Sequence, residues 1–291
     1  MGEQGRDSPE LVVGGSRAPN TTVSLLGRFE VRSGGEQITI PPGLPSLGLK
    51  FLAVHGGRVR TDALAEALWP EMGPAEARIF RRKNTVPLAA LPATRTGEVL
   101  DVMAEVYPQF VAAPNVLYTS LNNMGAVFHP ALTLLNSGWI ERTQGDFQFY
   151  VDGVTRSTAH MLEVIDRERV TVAAALGIRA QTAQEWLATA YSATGRDLYE
   201  AMHDNPGYQG ISAPRSLRHR YIFEEIPCSL IPITELGKQY GVDTPTICAM
   251  THLANVVHGK DYHREGRTLE RMGIKGMSVG ELHHYVDTGE R

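Results

Sequence analysis

Apolar side chains recur two positions apart in three short runs near the start of the chain, as Val23/Leu25, Phe29/Val31 and Ile38/Ile40. This alternation predicts half-buried strands in TVSLLG, RFEVRS and EQITIP, with Gly34-Gly35 as a tight turn. The period then changes. Leu44, Leu47, Phe51 and Leu52 fit one helical face that stops at Gly56-Gly57. Thr61 is placed to cap a second helix, carrying Leu64 and Leu68, which Pro70 ends, and Pro74 opens a third through AEARIFRRK. Ahead of all these, residues 1–20 are rich in Gly, Ser, Asp and Pro and read as a loose tail.

From Asn84 the texture shifts. VPLAAL is an apolar run of strand length bounded by Pro92, and GEVLDVMAEVY sets Val99, Val102, Met103 and Val106 on one helical face. NVLYTSL is a further strand candidate. Beyond residue 121 helical periodicity dominates. In the clearest stretch Ser157 is the expected cap, Met161, Ile165, Val172 and Leu176 line one side, and Gly177 ends the run. Helical runs at 180–204, 234–240 and 244–257 follow, the last opening with Thr244-Pro245 in cap-and-first-turn order. Trp69, Trp139 and Trp186 each stand in apolar helical context and read as core.

Composition narrows the class without naming a function. Hydrophobic residues make up 42% and charged residues 21%, an ordinary balance for a soluble globular chain. A formal net charge of −4 provides no global field toward nucleic acid or an anionic membrane, and no apolar run is long enough to span a bilayer. Cys228 and Cys248 provide no disulfide framework and no secretory leader is recognisable, so a reducing, cytoplasmic setting is the expectation.

The chemistry-bearing stretch is SLNNMGAVFHPALTLLNSG, residues 120–138. An imidazole such as His129 exchanges protons at cellular pH, and a carboxylate on its far nitrogen would fix its tautomer and stabilise the imidazolium. A core histidine bonded to a backbone carbonyl is the plainer alternative. Asn122 and Asn123 offer amide donors to a substrate carboxylate, or simply form a turn. Arg215, Arg218, His219 and Arg220 line a loop before EEIP and could clamp a carboxylate in bidentate fashion. Arg78, Arg81, Arg82 and Lys83 cluster on the third predicted helix. They would give weak, salt-sensitive contacts to DNA phosphates, or merely a solvated basic helix end. His252, His258 and His263 with Asp261, and His283-His284, show no metal-ligand spacing, so no metal is expected.

NTVPLAALPA, YPQF, NVLYTSLNNMGAVFHPALTLLNSG, FYVDGVTRSTAHMLEVIDRERVTVAAALGI and RYIFEEIPCSLIPITELGKQYGVDTPTI, taken together and in this order, resemble the octopine/nopaline (opine) dehydrogenase family over about 84–291. The resemblance implies an all-helical substrate domain at 121–291 and the end of a dinucleotide-binding domain at 84–120. It implies reductive condensation of an amino acid with a 2-oxo acid using NAD(H) or NADP(H), with a small-molecule imine or secondary amine as substrate. On this pattern the catalytic histidine falls on His129, and the carboxylate that orients it falls on Glu225. Here a Glu stands where the family's Glu-Asp-Val-Pro motif has Asp, keeping the charge and adding a methylene. Asn122, Asn123 and Arg220 become the substrate-binding candidates.

A Rossmann half needs a strand, G-x-G-x-x-G and a helix, and that glycine spacing occurs nowhere in the chain. VVGG at 12–15 lacks the third glycine. No cofactor site is therefore expected in this chain, and autonomous redox activity is not expected either. Residues 22–80, VSLLGRFEVRSGGEQITIPPG and KFLAVHGGRVRTDALAEALWPEMGPAEAR, instead resemble the OmpR-type winged-helix domain of actinobacterial antibiotic regulatory activators, without the wing. The expected fold is mostly α. It comprises a tail at 1–20, a partial winged-helix segment with strands and helix-turn-helix at 21–83, a small α/β remnant at 84–120, and an all-helical opine-dehydrogenase-type domain at 121–291. The alternative function is a DNA-binding regulator or metabolite sensor using the helix-turn-helix; the sequence leaves the oligomeric state open, a homodimer among the options.

Overall fold

The computed structural model describes residues 82–105 and 107–291, together with the backbone of four short strands ahead of them. The chain divides into two compact units, Met1–Ile79 and Phe80–Arg291. In the first, β1 (Leu11–Val13), β2 (Thr21–Ser24), β3 (Glu30–Ser33) and β4 (Glu36–Ile38) pair antiparallel in sequence order. Val23 lies opposite Val31, and Val31 opposite Ile38, so the alternating runs do pair with one another. β1 falls inside the stretch read as a loose tail. Its three residues take up ladder positions against Thr21–Val23. The helices expected between residues 44 and 81 lie outside the described residues, as do Arg78 and Arg81.

The second unit opens with a βαβ arrangement. β5 (Val86–Leu88) and β6 (Phe110–Ala112) pair in parallel, and α1 (Thr96–Ala104) connects them. Parallel neighbours require such a crossover, because a tight hairpin can only join antiparallel strands. α2 (Val116–Leu121) occupies the NVLYTSL run that alternation assigned to a strand. The cap decides this. The side-chain oxygen of Asn115 accepts from the N–H groups of Leu117 (3.1 Å) and Tyr118 (3.3 Å), satisfying two helix-start donors that a strand would not present together. Asn115 also donates to Asp287 at 3.0 Å, tying this turn to the C-terminal helix.

The remainder is helical: α3 (Met124–Leu135), α4 (Ser137–Thr143), α5 (Arg156–Ala175), α6 (Ala183–Tyr191), α7 (Leu198–Asp204), α8 (Arg220–Phe223), α9 (Ile231–Tyr240), α10 (Pro245–His258), α11 (Tyr262–Glu265) and α12 (Val279–Thr288). Helix α5 is central, packing against α3, α7, α9 and α10. Its buried stripe of Leu162, Ile165, Val172 and Ala173 meets Leu132 of α3 and Ile247 of α10 in one contiguous core. Thr155, not Ser157, caps α5, through a reciprocal pair with Thr158. At the other end Gly177 adopts φ +70°, the left-handed geometry that lets the chain leave the helix. Trp139 is 41% exposed and stacks on Phe147 at 4.0 Å, so it is a surface aromatic and not core. Trp186 packs against the core, edge-on to Phe128.

One charged pair is fully buried within this apolar frame. Arg169, 1% exposed, donates to Asp166 Oδ1 at 3.1 Å and 2.6 Å and to the carbonyls of Leu121 and Gln181, while Asp166 Oδ2 accepts from Ala183 N at 2.7 Å. The guanidinium thereby holds the end of α2 against the chain entering α6. The next residues, Asn122 and Asn123, lead into α3.

Candidate functional site

Asn123 starts the site. Its side-chain oxygen caps α3 by accepting from Gly125 N at 3.0 Å, which aims the amide nitrogen away from the helix. That nitrogen donates to Glu225 Oε2 and to Ser229 Oγ, both at 3.0 Å. His129 stands a turn and a half further along α3. The next residue is Pro130, which has no N–H to donate within the helix; the Thr133 hydroxyl donates to the His129 carbonyl at 2.7 Å.

Glu225 comes from the far side of the fold. It follows the short helix α8 and precedes a single π-helical turn, Ile226–Leu230, that leads into α9. Such turns redirect side chains that a regular helix would point elsewhere, and they recur at functional sites. The Glu225 Oε1 atom lies 3.1 Å from His129 Nδ1, and Oε2 also accepts from Ser229 Oγ at 2.9 Å. A Cβ placed on Gly125 would collide with this carboxylate, so the glycine opens the path by which Glu225 reaches the histidine. Burial pushes the Glu225 carboxyl up. The hydrogen bond and charge of His129, with the bonds from Ser229 and Asn123, outweigh it, and the group ends below the ordinary carboxylate value.

With Nδ1 turned to a carboxylate, the tautomer favoured for neutral His129 is Nδ1–H, which leaves the Nε2 lone pair free. No described residue hydrogen-bonds Nε2. The ring is 22% exposed and Glu225 13%, so the pair is shielded but reachable. Tyr221 stacks on the imidazole at 4.0 Å and 12°, with Phe149 behind it at 5.3 Å. His219 meets the edge of Tyr221, and its Nδ1 accepts from the Tyr221 N–H at 3.4 Å. Burial first, then the nearby Arg220 and His129 charges, lower the His219 pKa to about 4, so this second imidazole is neutral at pH 7. Tyr150 and Tyr208, stacked at 4.3 Å, close the aromatic floor; burial first, then neighbouring tyrosines, raise both phenols well above their ordinary value.

A cleft of about 350 Å³ is lined by Asn123, Glu225 and Ser229 together with Leu117, Ile233 and Arg267. His129 does not line it.

The other expected residues fall as follows. Asn122 donates to the Tyr118 carbonyl at 2.8 Å and accepts from Gln181 N at 2.8 Å, so backbone takes both ends of its amide. Asn123 is spent on Glu225, Ser229 and the helix cap. Asn123 thus gives both amide hydrogens to Glu225 and Ser229, whereas Asn122 gives one of its two to the Tyr118 carbonyl. Arg220 is 44% exposed and pairs with Glu224 at 3.1 Å. Arg82 and Lys83 lie in non-helical chain, not on the basic helix end expected of them, and Lys83 sits 5.1 Å over the Trp186 ring. Among the described residues no group of three or more His, Cys, Asp or Glu could hold a metal. Nor, among them, is any helix long and apolar enough to cross a membrane. Sequence reasoning missed Gly125, Tyr221 and Ser229. Tyr221 and Ser229 do stand four before and four after Glu225, a spacing that places all three on one side of a helical turn.

The model of the octopine/nopaline dehydrogenase alpha-helical domain matches residues 112–258. An opine dehydrogenase of Arthrobacter sp. (strain 1C) is 37% identical over 265 residues, covering 88% of this chain and 72% of that protein. The protein ocs of Agrobacterium tumefaciens (strain Ach5) is 28% identical, covering 81% of this chain and 71% of its own length. This chain is a member of the octopine/nopaline dehydrogenase family. Both alignments take in more of the chain than residues 84–291 supply, so family similarity continues upstream of the seam expected near 84. The comparisons provide no support for the winged-helix resemblance there. A solved octopine dehydrogenase in complex with NADH and agmatine superposes with TM-score 0.53 at 22% identity, over 67% of this chain and 54% of that one. The same enzyme with NADH and L-arginine gives TM-score 0.53 at 21% identity, covering 67% and 55%. The chain thus spans just over half the length of those solved proteins and shares their fold.

Proposed function

We propose that the helical unit is the substrate-holding and proton-handling half of an opine dehydrogenase that joins an amino acid to a 2-oxo acid through an imine. The observation that carries this reading is the His129 Nδ1–Glu225 Oε1 contact at 3.1 Å, with Nε2 left without a described partner. Glu225 holds the Nδ1–H tautomer and stabilises the imidazolium, while Nε2 takes the two amine protons one after the other and passes each to the carbonyl oxygen, which leaves as water. Arg220 exchanges Glu224 for a substrate carboxylate, a bidentate geometry that Lys could not reproduce. A nicotinamide cofactor would supply the hydride for such an imine, and the similar octopine dehydrogenase is solved in complex with NADH.

The described residues do not fit a dinucleotide. The turn from β5 into α1 runs Ala89-Ala90-Leu91-Pro92-Ala93-Thr94-Arg95, without a glycine, and Arg95 makes no side-chain cap at the helix start. Close approach of a pyrophosphate to a helix N-terminus depends on glycines there. No step is therefore routed through a cofactor held by these residues, and the hydride donor's site is assigned outside them. Val99 at 40%, Val102 at 68% and Val111 at 39% exposed leave the βαβ unit's apolar surface uncovered. A parallel sheet is ordinarily covered on both faces, so more of such a sheet belongs beside it.

The test follows NADH oxidation with an amino acid and a 2-oxo acid. The chain is assayed alone and with the separately produced nucleotide-binding half of the Arthrobacter relative. Oxidation only when both parts are present supports the reading. No oxidation in either case, with both parts folded, contradicts it.

A further inference from the structure

We infer that Tyr221 is a positioning residue for His129, an aromatic platform that fixes the plane of the imidazole so that Nδ1 meets Glu225 while Nε2 stays presented. The inference rests on the reading of His129 as the proton-handling group. A single hydrogen bond at 3.1 Å holds one ring atom and leaves the ring free to tilt about it. The parallel stack at 4.0 Å and 12° removes that freedom.

Tyr221 can serve as a reference surface because it is itself held from several directions. Phe149 stacks on it at 5.3 Å and 24°, and its backbone N–H donates to His219 Nδ1 at 3.4 Å. Phe149 in turn meets the almost completely buried Tyr150 ring edge-on at 5.0 Å and 72°. Locking the group that orients a catalytic side chain is how a site keeps geometry to a fraction of an ångström. A flat ring below the imidazole also attracts it when it carries a proton. The titratable and charged groups around the imidazole are Glu225 at Nδ1, Tyr221 on its face, Tyr150 at 6.5 Å between ring centres, and His219 and Arg220 beyond Tyr221. Tyr221 is the only one of these stacked on the His129 face, which gives its removal a distinct signature.

The test reads the His129 tautomer by long-range proton–nitrogen NMR on the full ¹⁵N-labelled chain, at a pH where the ring is neutral. Wild type and Tyr221→Phe should show predominantly the Nδ1–H form. Tyr221→Leu and the longer Tyr221→Met should shift a large part of the population to Nε2–H, the form preferred by a free imidazole, with the rest of the amide spectrum unchanged. Glu225→Gln, which takes away the acceptor, sets the size of a complete loss. A wild-type spectrum in a folded Tyr221→Leu or Tyr221→Met chain overturns the inference. So does loss of the Nδ1–H form in Tyr221→Phe, since that would assign the effect to the hydroxyl and not to the stack. The readout needs no turnover, so it stands apart from the assay of the proposed reaction.

Discussion

Glu225 reaches His129 across the one position of α3 that has no side chain. Gly125 lies under the carboxylate, and the atoms of a Cβ there would overlap Oε1. Gly125 thereby leaves room for the Glu225 arm. Gly125→Ala should therefore displace Glu225 by about 1 Å and cost about 1–3 kcal/mol through overpacking. A displacement of that size costs of order a hundredfold in rate. Urea denaturation gives the first number and complemented turnover the second; a variant with wild-type turnover would show that the carboxylate does not need this path.

Arg169→Met tests the buried pair that anchors the start of the site. Asp166 would be left as an uncompensated charge in the core, and the Leu121 carbonyl would lose its donor. A loss of about 3–5 kcal/mol is expected, against much less when Asp166→Leu is added. Chemical denaturation of the two variants checks it. Equal losses in the single and double variants would mean that packing, and not the charge left behind, sets the cost.

Much of this unit was legible from apolar spacing, and the reasons for the exceptions are local. The long stripe of Met161, Ile165, Val172 and Leu176 becomes the central helix because it repeats over about four turns. NVLYTSL was misread because six residues fit either period, and the deciding atom is the Asn115 oxygen beneath Leu117 and Tyr118. The dyad came from the resemblance. Composition cannot pair residues 96 positions apart. The sequence shows the amide donors of Asn122 and Asn123 but not the groups that meet them, which for Asn123 are the side chains of Glu225 and Ser229. Gly125 left no signal, and Tyr221 left only its four-residue spacing from Glu225, since each matters through what the fold brings against it.

Acid should weaken the folded state in two steps. His219 has a folded pKa of about 4 against about 6.5 when unfolded. Its folded value is depressed, so unfolding takes up a proton between those limits and stability falls as pH drops through that window. The loss is of order 1 kcal/mol once the partial exposure of the ring is allowed for. His219→Gln should remove this slope. Glu225 is also depressed, so its contribution is present above the ordinary carboxylate value near pH ~4.3 and is lost as pH falls through the lower folded value. Denaturant midpoints from pH 8 to 3 for wild type, His219→Gln and Glu225→Gln check both signs. A flat profile between pH 7 and 5 in wild type would contradict the first.

Ser229 and Asn123 hold the second oxygen of Glu225, so their removal should loosen the dyad without abolishing it. Ser229→Ala deletes one of the two donors to Oε2, at 2.9 Å. Charge-assisted bonds of this kind are worth about 1.5–3 kcal/mol, of which only part reaches the dyad. A fall in complemented turnover of about tenfold with little change in KM is expected, and steady-state kinetics measure it. A change confined to KM would place Ser229 in contact with substrate through the adjoining cleft.

The claim that His129 moves the proton is tested most directly by complemented turnover of wild type and His129→Ala, run beside thermal melts of both. General acid–base catalysis contributes about 10²–10⁴-fold, so the variant should lose at least about a hundredfold in kcat while melting as a cooperative unit within a few degrees of wild type. Turnover within tenfold of wild type in a folded His129→Ala chain would contradict the account.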